Sequence, residues 1–307
     1  MNLWSIISVI LITLGLSPAR VSYLSTVEVF NQGTEATANI QRVAVDNSLV
    51  LPQRKNLSSL GVKISASSAA VMDEASETVL WQKSAKEIRS IASISKLMTA
   101  LVFLEHNPGW DNKITMLAED EVGADTPNIL QDEEVTVKNL FFTALVGSDN
   151  NATRALVRST GLSLDDFVKL MNDKAKQMGL VNTYFADPIG LNSQNSSTAL
   201  EVLKLAKTAF NNKDIDSATT LKVYNFNAPS GKNYKIKSTN YLLSSYLKVK
   251  NGKTGSTDQA GYCLVVKVAG RDKQNIITVV LGSDNQDDRF KDAKILSAWT
   301  LENFSWL

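Results

Sequence analysis

The middle of the chain is patterned for helices. Leu97, Ala100, Leu101 and Leu104 recur at three- and four-residue spacing and predict a helix from about Ser93 to Glu105. The same period predicts helices over Val137–Val146, Asn151–Ser159, Leu164–Met178 and Ala199–Phe210, and a closing helix over Arg289–Phe304. On either side the pattern becomes strand-like. Val62–Met72 carries β-branched and small residues, Asp73–Ser76 offers a turn and Thr78–Trp81 resumes, which reads as a hairpin. Leu221–Phe226, Tyr262–Ala269 and Ile276–Leu281 read as further strands. Strands bracketing a helical middle predict one sheet formed from both ends of the domain, with a helical insertion.

Ahead of this region, Leu3–Leu16 is almost continuously apolar and is followed by Ser17-Pro18-Ala19-Arg20. That length suits the core of a signal peptide better than a membrane span of about 20 residues. No Lys or Arg precedes the run. Residues 1–20 therefore read as a signal peptide or an uncleaved N-terminal membrane anchor, with export expected either way. Residues 21–59, rich in Ser, Thr, Asn and Gln, read as a polar stalk, and residues 60–307 as the folded domain.

Composition narrows the chemistry. The 307 residues allow a sizeable core, and 44% apolar with 21% charged residues fits a folded globular protein. With 32 basic and 31 acidic residues the net charge is +1, which argues against a nucleic-acid partner. The basic spots at Lys232, Lys235 and Lys237, and at Lys248, Lys250 and Lys253, read mostly as solvated strand faces. One histidine and one cysteine exclude a His-rich metal site and a Cys-x-x-Cys pair. His106 falls where a helix ends, and Cys263 lies in an apolar run as a buried structural thiol.

Three short strings, in order, carry the reactive chemistry: Ser93-Ile94-Ser95-Lys96, Ser148-Asp149-Asn150 and Lys253-Thr254-Gly255. Together they match the site of a serine acyl-transferase whose base is lysine. Each alone is weak, and second copies occur at Ser245–Lys248 and Ser283-Asp284-Asn285, the latter reading as a strand end and an acidic loop. At i and i+3 on a helix, Ser93 and Lys96 share one face, so a free lysine amine can take the hydroxyl proton. Ser148 would relay a proton, and the Asn150 amide would bond both Lys96 and a substrate carbonyl, Asn150 also being able to cap the next helix. Lys253 would offer positive charge to a substrate carboxylate, Thr254 a hydroxyl, and Gly255 room for the substrate backbone. The backbone N–H groups of Ser93 and Ser256 would form an oxyanion hole.

From about Leu60 to Leu307 the chain resembles the serine-type D-alanyl-D-alanine carboxypeptidases, the low-molecular-mass penicillin-binding proteins. The resemblance extends beyond the three strings to Ile91–Ala100, to Phe185-Ala186-Asp187-Pro188-Ile189-Gly190-Leu191 with Ser196-Ser197-Thr198-Ala199, to Thr239–Leu243 and to Ala260–Cys263. Many relatives carry histidine where Ser196 stands. The resemblance implies an α/β (α+β) fold: a central antiparallel sheet flanked by helices, with an α-helical subdomain and the active site between them. It also implies Ser93 as nucleophile, Lys96 as base and Ser148 as proton shuttle, with Asn150, Lys253, Thr254, Gly255 and Ser256 binding substrate. The implied substrate is the D-Ala-D-Ala terminus of peptidoglycan stem peptides, and β-lactams are the implied covalent inhibitors. No metal or organic cofactor is expected.

Two rival readings share these motifs. A class A β-lactamase needs a glutamate after Ser-Asp-Asn to activate water. Between Asn150 and Lys253 only Glu201 is available, within a predicted helix. A non-catalytic envelope binding protein on the same fold would have no need of the intact trio.

Overall fold

A computed structural model of the chain describes residues 50–306 apart from 56–57, 60, 124–126 and 272–273. The N-terminal apolar run and most of the predicted stalk lie outside the described residues. The main sheet contains β1 (Ser68–Asp73), β2 (Val79–Lys83), β3 (Lys248–Thr257), β4 (Gly261–Ala269) and β5 (Asn275–Ser283). Its order is β3-β4-β5-β1-β2, and every neighbouring pair is antiparallel. The seam where the two ends of the domain meet runs from Leu281 opposite Ser68 to Ile276 opposite Asp73.

The described helices are α1 (Lys96–Glu105), α2 (Val137–Val146), α3 (Asn150–Ser159), α4 (Leu164–Gln177), α5 (Ala199–Phe210), α6 (Lys213–Thr219) and α7 (Gln286–Asn303). Thr136, Asp149, Ser163, Thr198, Asn212 and Asn285 each cap a helix by accepting a backbone N–H. Alternation in the strands sends side chains to two covered faces. Ala70, Met72, Val265, Ile277 and Val279 join the core that includes α1 and α5. Ala69, Val71, Leu264, Val266 and Val280 pack with Phe290, Ala293 and Leu296 of α7. β1 and β5 are consequently buried on both sides, which is why they read as nearly continuous apolar runs.

Three differences from the sequence reading have physical causes. Gln53 and Arg54 pair with Ser305 and Phe304, and Arg54 stacks over Trp299, so the folded unit begins inside the stretch assigned to the stalk. A two-residue strand of Gln and Arg carries no apolar signature. Helix α6 is not predicted because its 7 residues hold only two apolar side chains, Ile215 and Ala218, too few to show a period. The supposed acidic loop after Ser283 is the first turn of α7, where Asp287 and Asp288 face the positive end of the helix dipole. The 223–227 strand belongs to a separate hairpin with 233–237. There Tyr234 and Ile236 turn inward while Lys235 and Lys237 stay exposed, as a solvated basic face should.

One carboxylate ties α7 to the sheet. Asp292, 3% exposed, accepts bonds from Ser65 N (3.0 Å), Ser65 Oγ (2.8 Å), Ala66 N (2.8 Å) and Ser283 Oγ (2.9 Å). Asp292→Ala strands those donors, with an expected loss of about 3 kcal/mol of stability. Urea unfolding checks this, and a loss under about 1 kcal/mol would put the tie elsewhere.

Candidate active site

Ser93 does not open an α-helix. It lies in a 3-10 turn, Ala92–Ser95, that runs into α1 at Lys96. Ala92 is held at φ +47°, in the left-handed region that an alanine rarely adopts. Neighbouring segments press on this turn. A Cβ on Gly255 of β3 would lie 2.9 Å from both Ile91 O and Ser93 N. At Gly190, φ is +92° and a Cβ would lie 2.1 Å from Ala92 O. The Cβ that Gly255 lacks would thus meet the nucleophile turn, while Gly255 also lines the cleft, where the sequence reading had it face a substrate backbone.

Lys96, 1% exposed, points its amine at three oxygens: Ser93 Oγ (2.8 Å), Asn150 Oδ1 (2.8 Å) and Ile189 O (3.0 Å). Asn150 can serve because it is relieved of capping. Asp149 caps α3 through Ala152 N at 2.7 Å and anchors Asn128 through its other oxygen. The Ile189 carbonyl is a main-chain ligand that no side-chain motif reveals. It is aimed by Asp187, whose Oδ1 accepts from Ile189 N and Gly190 N at 2.6 and 2.5 Å. Fully buried Asn195 bonds Ala186 N, Asp187 N, Asp187 O and Ser95 Oγ, tying that loop to the nucleophile turn.

Ser148 follows α2 at φ +58°, so two of the five described non-glycine residues at positive φ, Ala92 and Ser148, fall in or beside the motifs. Strain of this kind costs about 1–3 kcal/mol per residue and collects at reactive sites. Its hydroxyl accepts from Lys253 Nζ at 2.5 Å, and the same amine donates to Thr254 O at 2.8 Å. Burial, and then the nearby Lys96 and Arg289 cations, depress the Lys253 amine well below an ordinary lysine. Lys253 is 1% exposed, and its amine faces Ser148.

The cation that lines the cleft is Arg289, which stands outside all three motifs. It sits in the first turn of α7, 6% exposed, with Nη1 donating to Gly255 O at 3.1 Å and its Nε without a partner. Its guanidinium lies over Tyr262 and Phe290, 5.6 and 4.9 Å from the ring centroids. Arginine carries its charge through such burial far better than lysine does. Thr254 Oγ1 meets Thr239 Oγ1 at 2.6 Å, and Ser256 is exposed at the next position of β3 but one. The cleft, about 260 Å³, is lined by Ser93, Ser148, Asn150, Thr254, Ser256 and Arg289 among others. A wider groove of about 770 Å³, beside Lys55, Tyr246 and Lys248, lies at the other end of β3 and contains none of the candidate residues.

The remaining singled-out residues take structural places. His106 caps the C-terminus of α1, and the Cys263 thiol is buried and pushed up to about 11. Ser283 bonds Asp292 and Asn285 caps α7, so the second Ser-Asp-Asn is a helix start. Ser245 ends a 3-10 turn, and Lys248 is exposed at the start of β3. Ser196 pairs through its backbone with Tyr184. Adding a methyl at Gly190 must push back the Ala92 carbonyl. Gly190→Ala is expected to lose about 2 kcal/mol or more from strain and displacement. It should also slow acylation of Ser93 at least tenfold, read by urea unfolding and by labelling with a serine-acylating reagent. Labelling at the unaltered rate would show that the turn tolerates the displacement.

Comparison with known proteins places this geometry. The family model described as D-alanyl-D-alanine carboxypeptidase matches residues 53–285, a span containing all three motifs. A D-alanyl-D-alanine endopeptidase of Haemophilus influenzae is 36% identical over 218 residues, covering 70% of this chain and 74% of that protein. The crystal structure of the Streptomyces K15 DD-transpeptidase superposes with a TM-score of 0.74 at 28% identity, covering 80% of this chain and all of that one. Penicillin-binding protein D2 of Listeria monocytogenes, in its cefotaxime-bound form, gives 0.70 at 30% identity, covering 79% of this chain and 99% of that one. With its motifs inside the matched span and its fold that of the transpeptidases, the chain belongs to the D-alanyl-D-alanine carboxypeptidase family of serine peptidases.

Proposed function

We propose that this protein hydrolyses the D-Ala-D-Ala bond of peptidoglycan stem peptides, releasing the terminal D-alanine through an acyl-enzyme on Ser93. One observation carries the reading: the buried Lys96 amine lies 2.8 Å from Ser93 Oγ, held in place by Asn150 and Ile189. As a free amine, Lys96 takes the hydroxyl proton while Ser93 Oγ attacks the carbonyl carbon. The N–H groups of Ser93 and Ser256 receive the oxyanion. When the C–N bond breaks, the departing amine takes a proton relayed through Ser148 from the lysine pair. Water then hydrolyses the ester, and Lys96 serves as base again.

Arg289, with the Thr254 hydroxyl, binds the substrate's terminal carboxylate, the role first given to Lys253. β-Lactams acylate Ser93 because their amide stands in for the D-Ala-D-Ala bond. A β-lactamase reading lacks its second base. Both oxygens of Glu201 are taken up by Asn182 and Thr183, and Glu201 does not line the cleft. The name of the Haemophilus influenzae relative favours a second reading, cleavage of crosslinks by the same acyl-enzyme. Such substrates place the protein in the bacterial cell envelope outside the cytoplasmic membrane. Residues 1–20 would export it and, uncleaved, anchor it; no helix among the described residues is long and apolar enough to cross a membrane.

Wild-type protein should release D-alanine from diacyl-L-Lys-D-Ala-D-Ala and bind penicillin covalently, and Ser93→Ala should do neither while keeping its circular dichroism. Covalent labelling that survives in Ser93→Ala would remove Ser93 as nucleophile. Arg289→Gln should raise KM for that peptide about 10- to 100-fold, the worth of a charge-assisted hydrogen bond to carboxylate. An amide-capped peptide should show little change between the two proteins. The Arg289 cation helps hold Lys253 down, so its removal lets that amine keep its proton to higher pH. As Lys253 feeds protons to Ser148, the basic limb of kcat/KM should therefore move toward higher pH in Arg289→Gln, and a limb moving the other way would refute the assignment.

A further inference from the structure

An exposed aromatic ring adjoins the cation of the cleft. Thr239, whose hydroxyl meets that of Thr254, also donates its N–H to Val146 O, and buried Asn240 follows it, accepting from Leu242 N at 3.2 Å. With its neighbours fixed in this way, Tyr241 is presented outward, 59% exposed. It is nevertheless stacked on Phe290, centroids 5.1 Å apart and planes 28° apart. Phe290 is only 7% exposed and carries the Arg289 guanidinium 4.9 Å from its own centroid. The result is a supported platform: a wet ring braced by a dry one, next to the side chain that takes the substrate carboxylate.

A ring left this exposed contributes little to folding through burial, but it is preorganised to receive a ligand, because its partner already fixes its plane. The face of a tyrosine suits aliphatic chains and flat amide groups. A leaving D-alanine ends at its carboxylate, at Arg289, and does not extend past it. A leaving group in which the carbon bearing that carboxylate also carries a second peptide, in place of the alanine methyl, does. We infer that Tyr241, braced by Phe290, is a leaving-side platform that directs this protein toward crosslinked peptides, in which the released amine belongs to a second peptide. The inference rests on the assignment of Arg289 to the carboxylate proposed above.

The test uses the full chain as wild type, Tyr241→Ala and Tyr241→Phe. Three rates are measured on each: cleavage of a crosslinked stem-peptide dimer, D-alanine release from diacyl-L-Lys-D-Ala-D-Ala, and acylation by penicillin. Tyr241→Ala should lower kcat/KM on the dimer about five- to tenfold, mainly through KM, as expected for losing one aromatic contact. Release of D-alanine and penicillin acylation should stay within about twofold, and Tyr241→Phe should retain cleavage of the dimer, because the stacking face is kept. Equal losses on both peptides would mark Tyr241 as structural and overturn the inference. An unchanged rate on the dimer would overturn it too. A wild type that releases D-alanine yet leaves the dimer intact overturns the platform while the proposed function stands. A wild type inert toward all three probes defeats the proposed function, and the inference with it.

Discussion

The buried amine of Lys96 is the constraint on which the rest of the site depends. A lysine nitrogen that is almost completely removed from water has to find its acceptors in the protein, because an unsatisfied one would cost several kcal/mol. Here the oxygens come from three places far apart in sequence: Ser93 beside it, Asn150 at the start of α3 and the Ile189 carbonyl. Satisfying one nitrogen therefore locks the nucleophile turn, the inserted helices and the 187–191 loop into a single arrangement. The same contacts leave the amine within reach of the one hydroxyl it must deprotonate.

Close approach follows from that requirement. β3 and the 187–191 loop both press on the turn around Ser93, and glycine occupies both contact points, Gly255 and Gly190. The strained backbones of Ala92 and Ser148 sit where the chain is forced to serve this geometry, one beside the nucleophile and one in the second motif. Asp187 and Asn195 stabilise the loop by satisfying its N–H groups, so its carbonyl can be spent on Lys96. Polar residues with no direct part in the chemistry thus define where the reactive groups lie.

The two cations near the cleft divide the electrostatic work by their chemistry. Lys253 is buried and depressed, which fits a nitrogen that exchanges protons with Ser148. Arg289 is lowered by burial too, yet a guanidinium begins from so high a value that it stays charged and can hold a carboxylate. Its position is a product of topology. Pairing β5 with β1 closes the sheet, and α7 leaves β5 through a short turn that brings Arg289 against the Gly255 carbonyl.

Much of this was legible in the chain itself. Helical and strand periods located most elements, because each buries a continuous face, and the spacing of Ser93 and Lys96 already put the two on one side of a turn. The order of the three motifs named the chemistry, since few reactions want a serine, a lysine and a second serine–asparagine pair together. What the sequence could not carry were contacts made by backbone or by distant partners. The Ile189 carbonyl has no side-chain signature, the short pairing of 53–54 with 304–305 has no apolar pattern, and Arg289 stands 34 residues beyond the glycine of the third motif, at position 255. Only the tertiary structure decided that Lys253 turns to Ser148, that Asp149 rather than Asn150 caps α3, and that Gly255 admits the nucleophile turn. Those outcomes depend on which surfaces meet, and packing between segments far apart in sequence is not written in any local pattern.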